Sequence, residues 1–312
     1  MTARLDDVND PRRNRRDFLK SAAALPLAAG ALAAESPADG NAMPTVPFGK
    51  VRISRLVAGA NPIGAGSHLS HFVDNQMREY FTDERILEFL QRASVEGISL
   101  WQAHNENFEH WQRFKRAGGA MHYISLASAG PNCGFTVADA ARMGFLGLAH
   151  HGEVTDSLFK EGKIEEAREY TKRVRDAGLL VGVSTHMPAV VDYIEAKGWD
   201  VDFYMTCVYE RHRSREELAR LLGHVPIPAG EVYLEDDPPR MFKAIRATRK
   251  TCLAFKILAA GRLCQSAGQV AQAFETTLKN IKPTDAVIVG IFPRWSDQIK
   301  EDADLVKRFG RA

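Results

Sequence analysis

Short apolar segments alternate with longer amphipathic segments along the chain from about residue 50 onward. The short segments are rich in Val, Ile, Leu and Phe, which is typical of buried strands in a parallel sheet. The longer ones carry apolar residues on one helical face, as in Thr82–Glu96, where Thr82 is suited to cap the helix, and in Lys163–Ala177, which ends before Gly178. The alternation predicts βαβ units with eight strands: Arg55–Ala60, Ile98–Gln102, His122–Ala127, Phe145–Ala149, Leu179–Ser184, Asp202–Val208, Leu253–Leu258 and Ala286–Val289.

Eight strands with helices between them predict a single (β/α)8 TIM-barrel domain over residues 45–312. A doubly wound open sheet is the alternative fold, but no GxGxxG turn follows the first predicted strand to support it. In a barrel of this kind, ligands bind at the loops that leave the C-terminal ends of the strands. Those loops are therefore where the sequence predicts a functional site.

The N-terminal segment resembles an export signal. Residues 14–20, NRRDFLK, resemble the twin-arginine motif, and an apolar run with a small-residue cleavage site at Ala31–Ala33 follows them. That run of about twelve residues is too short for a membrane-spanning helix, which needs roughly 20. We predict a signal peptide over residues 1–33, a disordered linker over 34–44, and an exported, periplasmic protein without a stable membrane anchor. The twin-arginine export machinery is then a partner, whereas an N-terminal helix of the mature fold is the alternative.

Composition and charge give no argument for a nucleic-acid or acidic partner, and we predict a small-molecule substrate. The chain is 45% hydrophobic and 26% charged, with a formal net charge of +2, which are ordinary values for a globular protein. The four cysteines, at positions 133, 207, 252 and 264, have no CxxC or metal-binding spacing. A disulfide could form in an oxidising compartment, but isolated thiols in the core are favoured.

Titratable side chains are concentrated directly after the predicted strands. In the segment GISLWQAHNEN, residues 97–107, a buried strand is followed at once by a run of polar groups. Seven of the ten histidines lie in such positions: His68, His71, His104, His150, His151, His186 and His212. Random placement on a surface would not concentrate histidine at one rim of a barrel. The candidate catalytic residues are therefore Gln102, His104, Glu106, His150, His151, Glu153 and His186.

Several segments resemble the aldo-keto reductase superfamily. Residues 50–64 (KVRISRLVAGANPIG) are similar to its first strand, and residues 178–186 (GLLVGVSTH) to its fifth. Residues 253–263 (LAFKILAAGRL) are similar to the seventh strand, and residues 286–302 (AVIVGIFPRWSDQIKED) to the last strand and the following helix. The resemblance covers most of residues 50–310 and implies a TIM barrel with NADP as cofactor. Its phosphate would be held by Lys256, Arg262, Arg294, Ser296 and Gln298, with Ser296 suited to cap the helix.

Most of the catalytic tetrad of that superfamily is absent from this chain. Members of the family reduce carbonyl groups with an Asp, a Tyr, a Lys and a His. Here Asn107 lies where the tyrosine would be, no lysine ends the third strand, and only His150 or His151 matches the histidine. Because an amide cannot act as a general acid near neutral pH, ordinary carbonyl reduction is not expected.

Three functions remain open from the sequence. The first is an enzyme that uses metal-assisted or His/Glu acid–base chemistry on a small polar substrate, with a carbohydrate as one candidate because Trp101 and Trp295 lie near the predicted mouth. The second is an NADP-dependent oxidoreductase with altered catalytic residues, and the third is a non-catalytic binding protein. Adjacent strand residues face opposite ways, so only one of His150 and His151 should face the barrel axis. A divalent metal would be held by His104, His150, His186 and Glu210.

Overall fold

The computed structural model describes residues 42–127 and 136–311 of the chain. The predicted signal peptide, residues 34–41 of the predicted linker and Cys133 lie outside the described residues. Among the described residues, no helix is both long enough and apolar enough to cross a membrane. Cys207, Cys252 and Cys264 are free thiols.

The described residues form ten strands and eleven helices. The strands are β1 (Thr45–Phe48), β2 (Val51–Ser54), β3 (Leu56–Gly59), β4 (Leu100–Ala103), β5 (His122–Ala127), β6 (Gly147–His150), β7 (Leu180–Thr185), β8 (Phe203–Cys207), β9 (Thr251–Phe255) and β10 (Ala286–Gly290). The helices are α1 (His71–Tyr80), α2 (Asp83–Val95), α3 (Phe108–Arg116), α4 (Val137–Arg142), α5 (Gly152–Lys160), α6 (Glu165–Asp176), α7 (Pro188–Ala196), α8 (Arg215–Leu222), α9 (Asp237–Ala247), α10 (Ala267–Asn280) and α11 (Gln298–Phe309).

Strands β3 to β10 close into a parallel barrel in chain order, which confirms the predicted (β/α)8 fold. The predicted helix ends are also observed at two places. The Thr82 side chain accepts a hydrogen bond from the backbone of Arg85 at the start of α2, and Gly178 follows α6 with a φ of +76°. The predicted strand ends lie within two residues of the observed ones, with one exception. Strand β9 ends at Phe255 and not at the predicted Leu258, because the backbone turns away at Lys256.

An antiparallel hairpin precedes the barrel, and the sequence pattern predicted no strand there. It consists of β1 and β2, and its residues Val46, Phe48 and Ile53 are buried against the side chains that fill the barrel. The Phe48 ring lies 4.8 Å from that of Phe203, at the start of β8. The hairpin therefore covers the N-terminal end of the barrel, and the C-terminal end is the one that remains open to ligands.

Two glycines lie against the Phe203 ring inside the barrel. A Cβ atom at Gly182 would lie 2.3 Å from that ring. One at Gly147 would lie 3.3 Å from the ring and 2.8 Å from the carbonyl oxygen of Leu180. These distances are too short for a larger residue to be accommodated without movement. Phe203 can thus fill the barrel interior below the mouth, where it is fully buried.

Candidate active site

A cavity of about 780 Å³ opens at the C-terminal end of the barrel. Each of the eight barrel strands, or the loop that follows it, contributes to its lining, as expected for a (β/α)8 barrel. Its polar lining residues include Asn61, His68, Gln102, His104, His151, Glu153, Ser184, His186, Arg211, Lys256, Ser296 and Gln298.

Strand alternation explains why three histidines reach this cavity. Side chains two residues apart on a strand face the same side of a sheet. Each of the three histidines lies two residues beyond a residue that faces the barrel interior or the cavity floor. The pairs are Gln102 and His104, Ala149 and His151, and Ser184 and His186. The histidines therefore extend three inward-facing rows of the barrel into the mouth.

Asp156 fixes the orientation of His186. The Nδ1 atom of His186 lies 2.8 Å from Oδ2 of Asp156, and its backbone N–H donates to the same oxygen at 3.0 Å. The Thr185 hydroxyl donates to the other carboxylate oxygen at 2.5 Å. Because Nδ1–H donates to a carboxylate, Nε2 carries the lone pair and is available to accept a proton or bind a metal.

Burial sets the protonation states of this pair. It lowers the pKa of His186 well below its usual value, and the positive charges of Lys256 and Arg211 lower it further. Burial raises the pKa of Asp156 to about 6, although hydrogen bonds from Thr185 and His186 oppose that rise. At neutral pH the imidazole is therefore a neutral base beside an ionised carboxylate.

A glycine allows the helix that carries Asp156 to approach His186 closely. Helix α5 begins at Gly152, directly after His151. A Cβ atom at Gly152 would lie 2.9 Å from the Ser184 hydroxyl oxygen and 3.3 Å from Cε1 of His186. A larger residue would push α5 away from β7, and the Asp156–His186 hydrogen bond would lengthen.

Arg211 connects two acidic residues at the rim of the cavity. Its side chain is only 7% exposed and donates to Glu153 and, at 2.6 Å, to Glu231. Glu231 also accepts from His68 at 3.0 Å and from the Tyr233 hydroxyl at 2.8 Å. Burial alone would raise the pKa of Glu231, but these hydrogen bonds and the charge of Arg211 hold it at about 2. Glu231 is thus ionised throughout the physiological range.

Two further ring nitrogens near His186 are buried without a hydrogen-bond partner among the described residues, namely Nδ1 of His151 and Nε2 of His212. The ring of His212 stands edge-on to that of His186 at 4.6 Å. Candidate metal-ligating atoms of Asp156, His186 and His212 all lie within 4.8 Å of one another. This cluster combines the donor types that zinc prefers.

His150, a predicted catalytic residue and metal ligand, faces away from the cavity. Its Nδ1 lies 2.8 Å from the Thr155 hydroxyl, and its ring contacts Tyr170 of α6 at 5.4 Å. Burial lowers its pKa to about 4, so it is a neutral packing residue between the barrel and the helices. The histidine that faces the barrel axis is His151.

The predicted metal ligands are not brought together, which corrects that part of the sequence prediction. Glu210 forms ion pairs with Arg240 at 2.6 Å and Arg213 at 3.5 Å, and it does not line the cavity. Glu106 is exposed at the rim, where its charge opposes the lowering of the His104 pKa by burial. The metal-compatible cluster shares only His186 with the predicted set.

The predicted phosphate-holding residues are divided between the cavity and the surface. Lys256, Ser296 and Gln298 line the cavity. Arg262 instead stacks on Tyr233 at 4.3 Å, and Arg294 donates to the backbone of Gln76 at 3.0 Å. The predicted cap is wrong, because Asp297 and not Ser296 caps α11. The Ser296 hydroxyl donates to Glu301.

Neither tryptophan considered for sugar stacking lines the cavity. Trp101 is fully buried in the layer between strands and helices, where its ring meets that of Tyr123 edge-on. Trp295 is 73% exposed on the outer surface and stacks on Arg294. These two residues therefore give no support to a carbohydrate substrate.

Four residues of the site were not among the predicted site residues: Asp156, Arg211, His212 and Glu231. The first three lie shortly after the fourth and sixth strands, so their positions were visible in the sequence. Their pairing was not, because each partner comes from a different loop. Glu231 lies far beyond a strand end, and no local pattern marks it.

No family model matches the chain, and no curated protein matches it either. Solved structures with a similar fold include the glycerol dehydrogenase AKR11B4 from Gluconobacter oxydans, an aldo-keto reductase. It is 14% identical to this chain with a TM-score of 0.48, and the match covers 87% of this chain and 97% of that one. A truncated 3-deoxy-D-arabino-heptulosonate 7-phosphate synthase from Thermotoga maritima matches at 12% identity and a TM-score of 0.47, over 86% and 90%. The 3-hexulose-6-phosphate synthase from Salmonella typhimurium matches at 17% identity and a TM-score of 0.44. That match covers 81% of this chain and 97% of the synthase. At these identities the likeness concerns the barrel fold alone.

Proposed function

We propose that the protein is an enzyme in which His186 acts as a general base on a small substrate with a carbonyl or carboxylate group. The observation that carries this proposal is the buried Asp156–His186 pair at the mouth of the barrel. A carboxylate that holds a neutral imidazole in one tautomer, in a residue that lines a cavity, is the arrangement that proton transfer needs.

The cations beside His186 support a substrate that becomes negatively charged during the reaction. Lys256 and Arg211 are both close enough to His186 to lower its pKa. Arg211 already binds two carboxylates, so Lys256 is the cation that remains available to a ligand. Removing a proton from a carbon next to a carbonyl group leaves negative charge on the oxygen, which a nearby cation stabilises.

Hydrogen exchange tests this function directly, because it detects removal of the proton whatever the final product is. The protein is incubated in D₂O at pH 7.5 with pyruvate, dihydroxyacetone or glyceraldehyde, and loss of the C–H signal next to the carbonyl is followed by proton NMR. We expect at least one compound to exchange faster than in buffer alone. Exchange at the buffer rate across a broad panel of 2-oxo acids, ketoses and aldehydes would contradict the proposal.

Metal-assisted chemistry is the second candidate, favoured by the cluster of Asp156, His186 and His212. In that case Nε2 of His212, which has no hydrogen-bond partner among the described residues, would be a ligand. Elemental analysis of the purified protein separates the two candidates. Near-stoichiometric zinc or manganese, with exchange abolished by a chelator, would favour the metal; metal-free protein with full exchange activity would favour the base alone.

We also propose that the protein is exported by the twin-arginine route, on the motif at residues 14–20. Changing Arg15 and Arg16 together to Lys should leave an uncleaved precursor in the cytoplasm, because that route requires the arginine pair. Immunoblots of cell fractions measure this. Normal processing and export of the double variant would show that the motif was misread.

A further inference from the structure

Lys256 is a cation without an acidic partner inside the cavity. No described residue forms a hydrogen bond or an ion pair with its Nζ atom, which lies 5.8 Å from the centre of the Phe255 ring. Lys256 is partly buried, and a charge without a partner is disfavoured where water is partly excluded. This setting raises the fraction of the amine that is in its neutral form, which is a nucleophile.

An unusual backbone conformation directs this side chain into the cavity. Adjacent residues of a strand point to opposite sides, and Phe255 already lines the cavity from the end of β9. In a continued strand Lys256 would therefore point outward, toward the helices. Its φ of +59° lies in the left-handed region, which is uncommon and costly for a residue with a side chain, and this turn returns the amine to the mouth.

The groups around the amine suit covalent chemistry at a carbonyl. Burial lowers the pKa of Lys256, and Arg211 lowers it further, while Cys207, Glu231 and Glu153 oppose the shift. His186 lies near enough to feel its charge. A nucleophilic amine and a neutral imidazole base therefore face the same space.

We propose that Lys256 forms an imine with the carbonyl carbon of an aldehyde, ketone or 2-oxo acid substrate. This inference rests on the proposed function, since it names the substrate class of the same site and gives Lys256 a covalent role. It replaces the phosphate-holding role predicted from the sequence. It also replaces stabilisation of the carbonyl oxygen by the charge of Lys256, because the iminium nitrogen takes up the electron pair instead. An anion-binding role would need only the positive charge, whereas imine formation needs a primary amine.

The step balances without any further reactant. The Nζ lone pair forms a bond to the carbonyl carbon, the C–O bond breaks, and the oxygen leaves as water with the two amine protons. One more proton, supplied by water, makes the iminium ion. The positively charged nitrogen then accepts the electron pair that remains when His186 removes a proton from the adjacent carbon. Addition of water reverses the first step and frees the lysine.

Reductive trapping tests the proposal directly. The full chain is incubated at pH 7.5 with a low concentration of pyruvate, dihydroxyacetone or glyceraldehyde and with sodium cyanoborohydride, which converts an imine to a stable amine. Intact mass and peptide mapping then locate the adduct. We expect Lys256 to be modified several-fold faster than the exposed Lys163, because burial lowers the pKa of Lys256 whereas the hydrogen bond with Glu161 raises the pKa of Lys163.

Two substitutions serve as matched variants. Lys256→Arg keeps the charge but lacks a primary amine, and Lys256→Met keeps the length of the side chain without the charge. Circular dichroism establishes that each is folded. Both should lose the fast-labelled site, whereas Lys163→Arg should keep it. Equal labelling of all lysines in the wild type across the panel would overturn the proposal, as would undiminished fast labelling of Lys256→Arg.

The same variants separate this inference from the proposed function. If Lys256 is trapped and no C–H exchange occurs, the imine stands and the role of His186 fails. If Lys256→Arg still exchanges the C–H proton at the wild-type rate, the imine is overturned while the general base stands. His186→Ala should keep trapping at Lys256, because the bond to nitrogen forms before that base acts.

Discussion

Replacing His186 with Ala should lower the C–H exchange rate by about 10²- to 10⁴-fold, the usual contribution of a general base. His186 lines the cavity, and the hydrogen bond from its Nδ1 to Asp156 leaves Nε2 as the proton acceptor. Burial and the neighbouring positive charges keep the imidazole neutral at pH 7. Asp156→Asn should lower the rate to a similar extent, because an amide cannot hold the same tautomer in place. Proton NMR in D₂O measures both variants with the substrate found for the wild type.

The pH dependence of the same rate gives an independent test. Protonation of the Asp156–His186 pair removes the base, and the pKa of Asp156 is about 6. The rate should therefore fall as the pH falls through about 6. His224→Ala is the control, because His224 is exposed and lies outside the cavity. A His186→Ala variant that is folded and as active as His224→Ala would contradict the assignment.

Replacing Arg211 with Met should reduce the free energy of unfolding by about 3 kcal/mol, the lower end of the range for breaking a buried ion pair. The Arg211 side chain is 7% exposed, and its loss leaves Glu231 without its cationic partner. His68 and Tyr233 still donate to that carboxylate, which limits the loss. Denaturant unfolding monitored by circular dichroism measures the change.

Two further variants show whether charge or shape causes this loss. Arg85→Met removes an arginine whose side chain is 52% exposed and paired with Glu88, and it should cost less than about 1 kcal/mol. Adding Glu231→Gln to Arg211→Met should restore part of the stability, because the remaining buried charge is removed. Equal losses for Arg211→Met and Arg85→Met would show that the network does not stabilise the rim.

The placement of the site could be predicted because the chain order of a barrel is simple. Eight apolar segments separated by helices leave little choice of fold, and all eight C-terminal strand ends then meet at one rim. Of the seven predicted catalytic residues, five line the cavity: Gln102, His104, His151, Glu153 and His186. The twin-arginine signal and the reaction itself remain proposals.

The hairpin could not be predicted as a barrel plug from local pattern. Residues Thr45–Phe48 and Val51–Ser54 are too short to stand out, and their burial depends on contact with Phe203, more than 150 residues away. The left-handed turn at Lys256 could not be predicted from the sequence either. Left-handed backbone is expected at glycine, and nothing in the local sequence marks a lysine as the exception.

The sequence by itself determined the barrel and the rim at which histidines gather. Only the tertiary structure decided which of His150 and His151 faces the axis. Parallel barrel strands are buried on both sides, so the apolar run that ends at Ala149 does not show which side is the interior. Asp156 with His186 likewise became a pair only in the fold, because its two members follow different strands. Arg211 and Glu231 both follow β8, but helix α8 separates them along the chain, so only the fold shows that they meet.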